Sequence, residues 1–411
     1  MTALSSERRM SLVNSLQDIE TPVFVLDKLK LDENISQLQE ALNRYWPNYV
    51  IGYSFKTNAL PWLLNYLRDC DFYAEVASSD EYELAKSTGF SHRQIIYNGP
   101  VKSEATFTDA LLNGVIVNID SQLELRWLNN LLETTSQQFK VGLRVNFAIE
   151  DVCPDDIGYQ EDGTRFGFSL ESGELYRIMD QLIATGRIHV AGLHLHCTSH
   201  TRSVAVYRAL AKIACQISND TGLSFDFVDI GGGFFGGVPG KPTFNDYLEA
   251  IHQELSKNYD VNTTRLVLEP GSAIIGSPIS FLTSVIDVKD TPKSRFVTID
   301  GSRVNIDPLM RKATYSYDLS IAKTARVIHP KQIICGFTCM DLDRLMVLTD
   351  SQALNIDDRI IFNMVGSYTM SLNPLFVNFF PAVYVKDGDR LMPARQAMSV
   401  GEYLQIGNSG R

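Results

Sequence analysis

The chain has 411 residues, 45% of them hydrophobic, with a net charge of −11 and a pI near 5.2. That apolar share supports a large core and excludes a disordered chain, and a prior of roughly 150 residues per domain implies two or three domains, although an α/β barrel can use about 250 as one. The acidic balance, with no basic run, argues against nucleic-acid binding.

The N-terminus, Met1 to Met10, has no apolar core of signal-peptide length, and no uncharged apolar stretch of about 18 residues predicts a membrane span. Six scattered cysteines (Cys70, Cys153, Cys197, Cys215, Cys335 and Cys339) suit a reducing cytoplasm better than a disulfide scaffold. Cys335 and Cys339 are not at CxxC spacing and have no histidine at zinc spacing nearby, so no metal site is expected.

In chain order, residues 1–20 are polar and periodic, the pattern of a surface helix. Thr21 to Asp27 reads as a strand with Pro22 at its start, where the missing N–H does little harm. Leu29 to Tyr45 has helical apolar spacing, with Ile35, Leu38 and Leu42 among its apolar residues. Strands and helices then alternate. Strands are expected at 50–55, 72–77, 94–98, 115–119, 140–147, 190–196, 225–230 and 265–269. Helices are expected at Ser79 to Ser87, Gln122 to Glu133, Glu171 to Ala184 and Phe244 to Lys257. The strands are apolar on both faces, as in Phe227-Val228-Asp229-Ile230, which implies a parallel sheet. Eight strands with helices between them predict a (β/α)8 barrel, with an open doubly wound sheet as the alternative. Beyond about residue 280 short strands replace helices, at 296–300, 332–336, 359–364 and 382–385. These predict an antiparallel β domain that also takes the strand near Val23. The expected division is 28–278 for the barrel, and 1–27 with 279–411 for the β domain.

Barrel active sites lie at the C-terminal strand ends. Those ends carry Lys56, Glu75, Asn98, Arg144 with Asn146, His196 with Ser199, the run Gly231, Gly232, Gly233, and Glu269. A lysine past a buried strand is expected to be desolvated, which frees its neutral amine as a nucleophile. The plain alternative is a solvated surface lysine. Three glycines after strand seven let backbone N–H groups approach a phosphate, against the alternative of a flexible turn. A buried Glu269 needs a cation or a donor such as a pyridinium N–H, although a structural salt bridge would also serve. His194 and His196 point the same way at period two; with no third ligand at sensible spacing for a metal they are read as stacking or hydrogen-bonding groups, against the plain alternative of a core histidine.

Tyr53-Ser54-Phe55-Lys56-Thr57-Asn58, His196 with Ser199, Asp229-Ile230-Gly231-Gly232-Gly233, Glu269-Pro270-Gly271, Phe337-Thr338-Cys339-Met340-Asp341-Leu342-Asp343 and Gly366-Ser367-Tyr368-Thr369 occur in this order. The set resembles the fold-type III pyridoxal-phosphate decarboxylases, the ornithine and diaminopimelate decarboxylase group, over about residues 21 to 385. The resemblance implies a barrel plus a β domain, a head-to-tail homodimer with shared sites, and pyridoxal 5'-phosphate as cofactor. It makes Lys56 the cofactor-binding lysine, with Glu75 as the acid near it. His196 would stack on the ring. Ser199, Gly231, Gly232, Gly233 and Tyr368 would hold the phosphate, and Arg144 joins the cofactor-binding set. Glu269 would pair with the ring nitrogen, which favours decarboxylation over racemisation. Cys339, from the partner subunit, would protonate the product carbanion. Two departures stand out. Ser272 replaces an arginine of the family pattern, for which Arg311 or backbone groups would compensate. Met340 stands where relatives carry an acid for the distal amine, with Asp341 next and Asp343 ending the motif. Arg311, Met340, Asp341 and Asp343 are therefore the expected substrate-side residues. The expected substrate is an amino acid or a conjugate of one, as in siderophore or polyamine precursors. The alternatives are a racemase or epimerase on the same cofactor, a non-catalytic regulator, and a plain phosphate-binding barrel enzyme.

Overall fold

A computed structural model describes residues 19–153, 163–199, 201–321 and 326–407. The helix expected over 1–20 falls almost wholly outside them. The chain divides into two compact units, 33–274 and 1–32 with 275–411.

The first unit is a closed barrel of eight parallel strands: β1 (Tyr49–Ser54), β2 (Tyr73–Val76), β3 (Ile95–Tyr97), β4 (Ile116–Ile119), β5 (Phe139–Asn146), β6 (Ile188–His194), β7 (Phe227–Asp229) and β8 (Arg265–Leu268). Each pairs with the next, β4 joins β5, and β8 returns to β1 with Leu266 opposite Tyr49, so the ring has no free edge. Parallel neighbours need a crossover, and helices such as Ser79–Ser87, Gln122–Thr134 and Phe244–Leu255 supply it. Ser78, Ser103, Ser121 and Thr243 cap four of these helices by accepting from a backbone N–H three residues on. The caps fix where each strand-to-helix turn ends, and hence where each strand-end side chain sits.

Val50, Ile96, Ala191, Phe227 and Val267 pack together from different barrel strands. Burying an aliphatic or aromatic side chain of this size stabilises by about 1.5–3 kcal/mol. Gly192 is glycine because the Phe227 ring fills its side-chain space: a Cβ there would stand 2.3 Å from the ring. Lys102 and Glu124 lie fully inside, with Lys102 Nζ 3.1 Å from Glu124 Oε2 and donating to the carbonyls of Gly99 (2.7 Å) and Asn118 (3.2 Å). Those carbonyls adjoin the strand-end loops, so the ion pair ties two of them together.

The second unit is a branched nine-stranded sheet. Its spine runs Arg344–Gln352, Ile328–Cys335, Arg295–Ile299, Ile279–Asp290, Val23–Asp27, Ala382–Asp387, Arg390–Arg395. Val23–Asp27 does belong to it, and Val23, Val25, Leu282 and Ile361 form a core. The sheet is mixed and not wholly antiparallel: Val23–Asp27 runs parallel to Ala382–Asp387, and Arg295–Ile299 parallel to Ile328–Cys335. The long strand Ile279–Asp290 is broken by an irregularity between Val285 and Asp287. Among the described residues, no helix is long and apolar enough to cross a membrane.

Breaking the Lys102–Glu124 pair leaves a buried charge without its partner. Lys102→Met is expected to lower the unfolding free energy by about 3–5 kcal/mol, measured by denaturant titration, and the double variant Lys102→Met/Glu124→Leu to recover much of that loss.

Candidate active site

β1 ends at Ser54, and the chain turns at once into a short 3-10 turn, Phe55–Thr57. Phe55 and Thr57 are buried, which leaves Lys56 facing outwards from the rim. Its side chain is 47% exposed, so the desolvation expected from the sequence is not found. Its amine instead stands 3.6 Å from Glu75 Oε2, at the penultimate position of β2. Glu75 is buried and also accepts from Ser54 Oγ at 2.5 Å. Asn98, one residue beyond β3, donates from Nδ2 to Glu75 Oε1 at 3.0 Å and to Glu269 Oε1 at 2.5 Å.

Glu269 follows β8 and is 5% exposed. Burial favours its protonated form, but His194, with Nε2 3.5 Å from Oε2, and a hydrogen bond with Asp229 overcome that, and its carboxyl is held well below the usual range. Asp229, at the end of β7, moves the other way: burial and the Glu269 charge push it well above the usual range. The two neighbouring carboxyls are thus pushed in opposite directions, Glu269 towards its charged form and Asp229 towards its neutral form. His196 is held neutral, with its pKa down to about 3, by burial and then by the charges of Arg144 and Lys56. Its Nδ1 accepts the Gly232 N–H at 3.3 Å, which puts the ring proton on Nε2. The rings of His194 and His196 lie near-parallel, 6.4 Å apart.

The glycine run is built for close approach. A Cβ on Gly232 would stand 2.1 Å from the Glu269 carbonyl oxygen, and one on Gly231 2.5 Å from His196 Nδ1. Two of the three N–H groups are engaged within the protein, however: Gly231 N–H donates to Asp229 Oδ1 at 2.9 Å and Gly232 N–H to His196 Nδ1 at 3.3 Å. Ser199 Oγ accepts the Arg202 N–H at 2.7 Å. Arg144 is paired with Asp120 at 3.1 Å and stacks on Phe166.

The sequence pattern of pyridoxal-dependent decarboxylases, pyridoxal binding domain, matches residues 30–276, well over half of the chain. The chain belongs to the pyridoxal-dependent decarboxylases. It is 28% identical to a diaminopimelate decarboxylase of Aquifex aeolicus over 75% of this chain and 72% of that one, and 27% identical to that of Archaeoglobus fulgidus over 95% and 93%. The fold is that of a diaminopimelate decarboxylase from M. jannaschii, with a TM-score of 0.83 at 20% identity, 97% of this chain and 94% of that one being covered. An arginine decarboxylase of Paramecium bursaria Chlorella virus shares it too, with a TM-score of 0.75 at 21% identity, 92% of this chain and all of that one being covered. The cofactor is pyridoxal phosphate and the reaction is carboxy-lyase chemistry on an amino acid. The barrel residues of this decarboxylase fit the cofactor by their donor chemistry: an amine at the rim, a neutral imidazole, and a buried anionic carboxylate able to accept a ring N–H.

The residues expected on the substrate side belong to the other unit. Cys339, Met340 and Asp341 lie on the loop joining Ile328–Cys335 to Arg344–Gln352, with Cys339 and Asp341 exposed. Asp343 needs correction. It is 2% exposed and its carboxylate takes bonds from Ser302 Oγ (2.8 Å), Arg303 N (2.9 Å), Thr338 N (3.1 Å) and Thr338 Oγ1 (2.6 Å). Four donors leave it a fastening of its own loop and not a substrate ligand. Arg311 is exposed, its backbone N–H donating to Asp307. Tyr368 is 38% exposed at a positive φ of 58°.

Asp229, Asn98 and Asn118 were given no role from sequence. An acid inside an otherwise apolar strand was the available signal for Asp229, since a buried carboxyl needs a partner.

The His196 ring also bears on stability. It protonates near pH 3 when folded and about 6.5 when unfolded, so the unfolded chain binds more protons between these values. Its stabilising contribution is complete above about pH 6.5 and is lost as pH falls towards 3. Denaturant unfolding of the cofactor-free protein at pH 7 and 4.5 is expected to show a smaller loss in His196→Gln than in wild type.

Proposed function

We propose that this decarboxylase acts on an amino acid whose distal group is larger or less cationic than a bare ammonium, at a site completed by a second copy of the chain. The observation that carries the barrel roles is the setting of Glu269: although it is buried, His194 Nε2 stands 3.5 Å from Oε2 and the Asn98 amide donates to Oε1, both of which favour its carboxylate form. A carboxylate held in that state accepts a proton-bearing ring nitrogen. Pyridoxal phosphate, when bound, supplies the electron sink for the pair left as CO2 departs. Lys56 would hold the cofactor through its amine, with Glu75 at 3.6 Å steering the proton there. His196, neutral and held by Gly232, offers a flat face to the ring. Ser199 and the loop of Gly231, Gly232 and Gly233 receive the phosphate, with Tyr368 completing its binding. Cys339 delivers a proton to the product carbon. Its thiol is exposed, as one that serves a neighbouring protomer needs to be. The scattered cysteines fit a reducing cytoplasm.

Met340 supports the substrate class. A substrate ammonium facing a thioether would lack its counter-charge, and an unpaired buried charge costs several kcal/mol, with each 1.4 kcal/mol worth about tenfold in affinity. Diaminopimelate, after which several relatives are named, carries a carboxylate beside its distal amine. That is the kind of distal group this reading favours, as is an amino acid joined to a second acid.

Complementation tests the roles and the shared site together. Lys56→Ala and Cys339→Ala are each expected to abolish CO2 release with the fold intact. Mixed under conditions of proven subunit exchange, they are expected to regain about a quarter of wild-type activity, because half of the dimers are mixed and each has one intact site. No recovery means the site is built from one chain.

A substrate screen scored by CO2 release tests the specificity. Free ornithine and lysine are expected to be poor substrates, and Met340→Asp to gain on them by about tenfold or more. If wild type prefers ornithine or lysine and Asp341→Ala loses that preference, Asp341 and not Met340 sets the pocket.

A further inference from the structure

The hydrogen bonds at the barrel mouth close a circuit that the roles above leave unused. Asn98 is 3% exposed. Its single Nδ2 donates to Glu75 Oε1 and to Glu269 Oε1. An amide nitrogen has two hydrogens, so both are engaged and both carboxylate oxygens are acceptors free of a proton. The Asn98 oxygen accepts from Asn118 Nδ2 at 2.8 Å, and that nitrogen also reaches Asp229 Oδ2 at 3.3 Å. The orientation is thereby fixed: flipped, the Asn98 oxygen would face two carboxylates and its nitrogen another donor.

We propose that Asn98 is a positioning residue that ties the carboxylate beside the cofactor-binding lysine to the carboxylate beside the ring nitrogen, so that both ends of the cofactor meet one linked charge state. The inference rests on the roles proposed for Lys56 and Glu269. The charges around Asn98 come from every side of the barrel mouth. Lys56 stands 3.6 Å from Glu75, and the charges of both are felt at Glu81 on the helix after β2. His194 and Asp229 act on Glu269. Arg144 adds a positive field from β5, felt at His196. Asn98 carries no charge of its own. It can hold two like-charged groups together without becoming a third, which neither a carboxylate nor an ammonium at this position could do. Its anchor, Asn118, is held in turn through its own carbonyl by Lys102. The circuit therefore stands on the buried ion pair described above.

The test uses purified protein stripped of cofactor and titrated with pyridoxal phosphate, read by the visible absorbance band of the Lys56 adduct and by its pH midpoint. Asn98→Ala removes both donors, and the two carboxylates then hold protons more readily. The midpoint is expected to fall by about one pH unit and the cofactor Kd to weaken about tenfold. Asn98→Asp adds a third carboxylate, and the midpoint is expected to rise. Opposite shifts from two variants that both lose the bridge are the signature of a charge-setting amide. Lowered thermal stability with unmoved midpoints in both variants, the result of a purely structural amide, overturns the inference while leaving the cofactor roles standing. A wild-type protein with no visible band overturns the role of Lys56, and this inference with it.

Discussion

A carboxylate kept ionised out of water is the constraint around which this barrel is arranged. Isolated in an apolar interior, Glu269 would take up a proton, and a protonated acid could not favour a proton on the ring nitrogen. The fold answers with groups from four strands. β3 brings Asn98, β6 brings His194, β7 brings Asp229 to hydrogen-bond the Glu269 carboxylate, and β4 brings Asn118 to fix the amide. Only a closed ring with all strand ends on one side can converge so many short side chains on one point. Closure of β8 onto β1 then brings Lys56, two residues beyond the end of β1, to the same mouth of the barrel, with its amine 3.6 Å from Glu75 Oε2.

The barrel was legible in the sequence because strands buried on both faces and capped helices leave strong local signals. All eight barrel strands lie within two residues of the expected positions at each end, and β6 stops two residues earlier, at His194. That early stop matters: His196 sits on the loop and not in the ladder, which lets its ring accept from Gly232. The β unit was less legible. A parallel pairing such as Val23–Asp27 with Ala382–Asp387 joins segments more than 350 residues apart, and side-chain alternation looks the same whichever way the partner runs.

Individual roles divide along the same line. Residues within a motif could be singled out, but what each touches depends on its neighbours across the ring. Lys56 was expected to be desolvated from the apolar strand before it, yet the tight turn throws it to the rim. Asp343 was grouped with the substrate residues because it ends a motif, whereas its burial among four donors gives it another task. Asn98 stands out only as a strand-end residue, and Asn118, inside β4, does not stand out at all; what each amide touches depends on neighbours across the ring.

The fastening by Asp343 has a consequence for how such a chain can diversify. The loop from Gly336 to Asp343 is pinned at its base by one saturated carboxylate and by the Gly336 N–H on the Asp343 carbonyl at 2.9 Å. Its tip takes no part in that anchorage through its side chains: Cys339 and Asp341 are exposed and Met340 is half-buried. Under the substrate role proposed for Met340 and Asp341, substitutions there change what the tip recognises with little effect on the hairpin that presents it. Selection can then explore new substrates at two neighbouring codons while the scaffold stays the same.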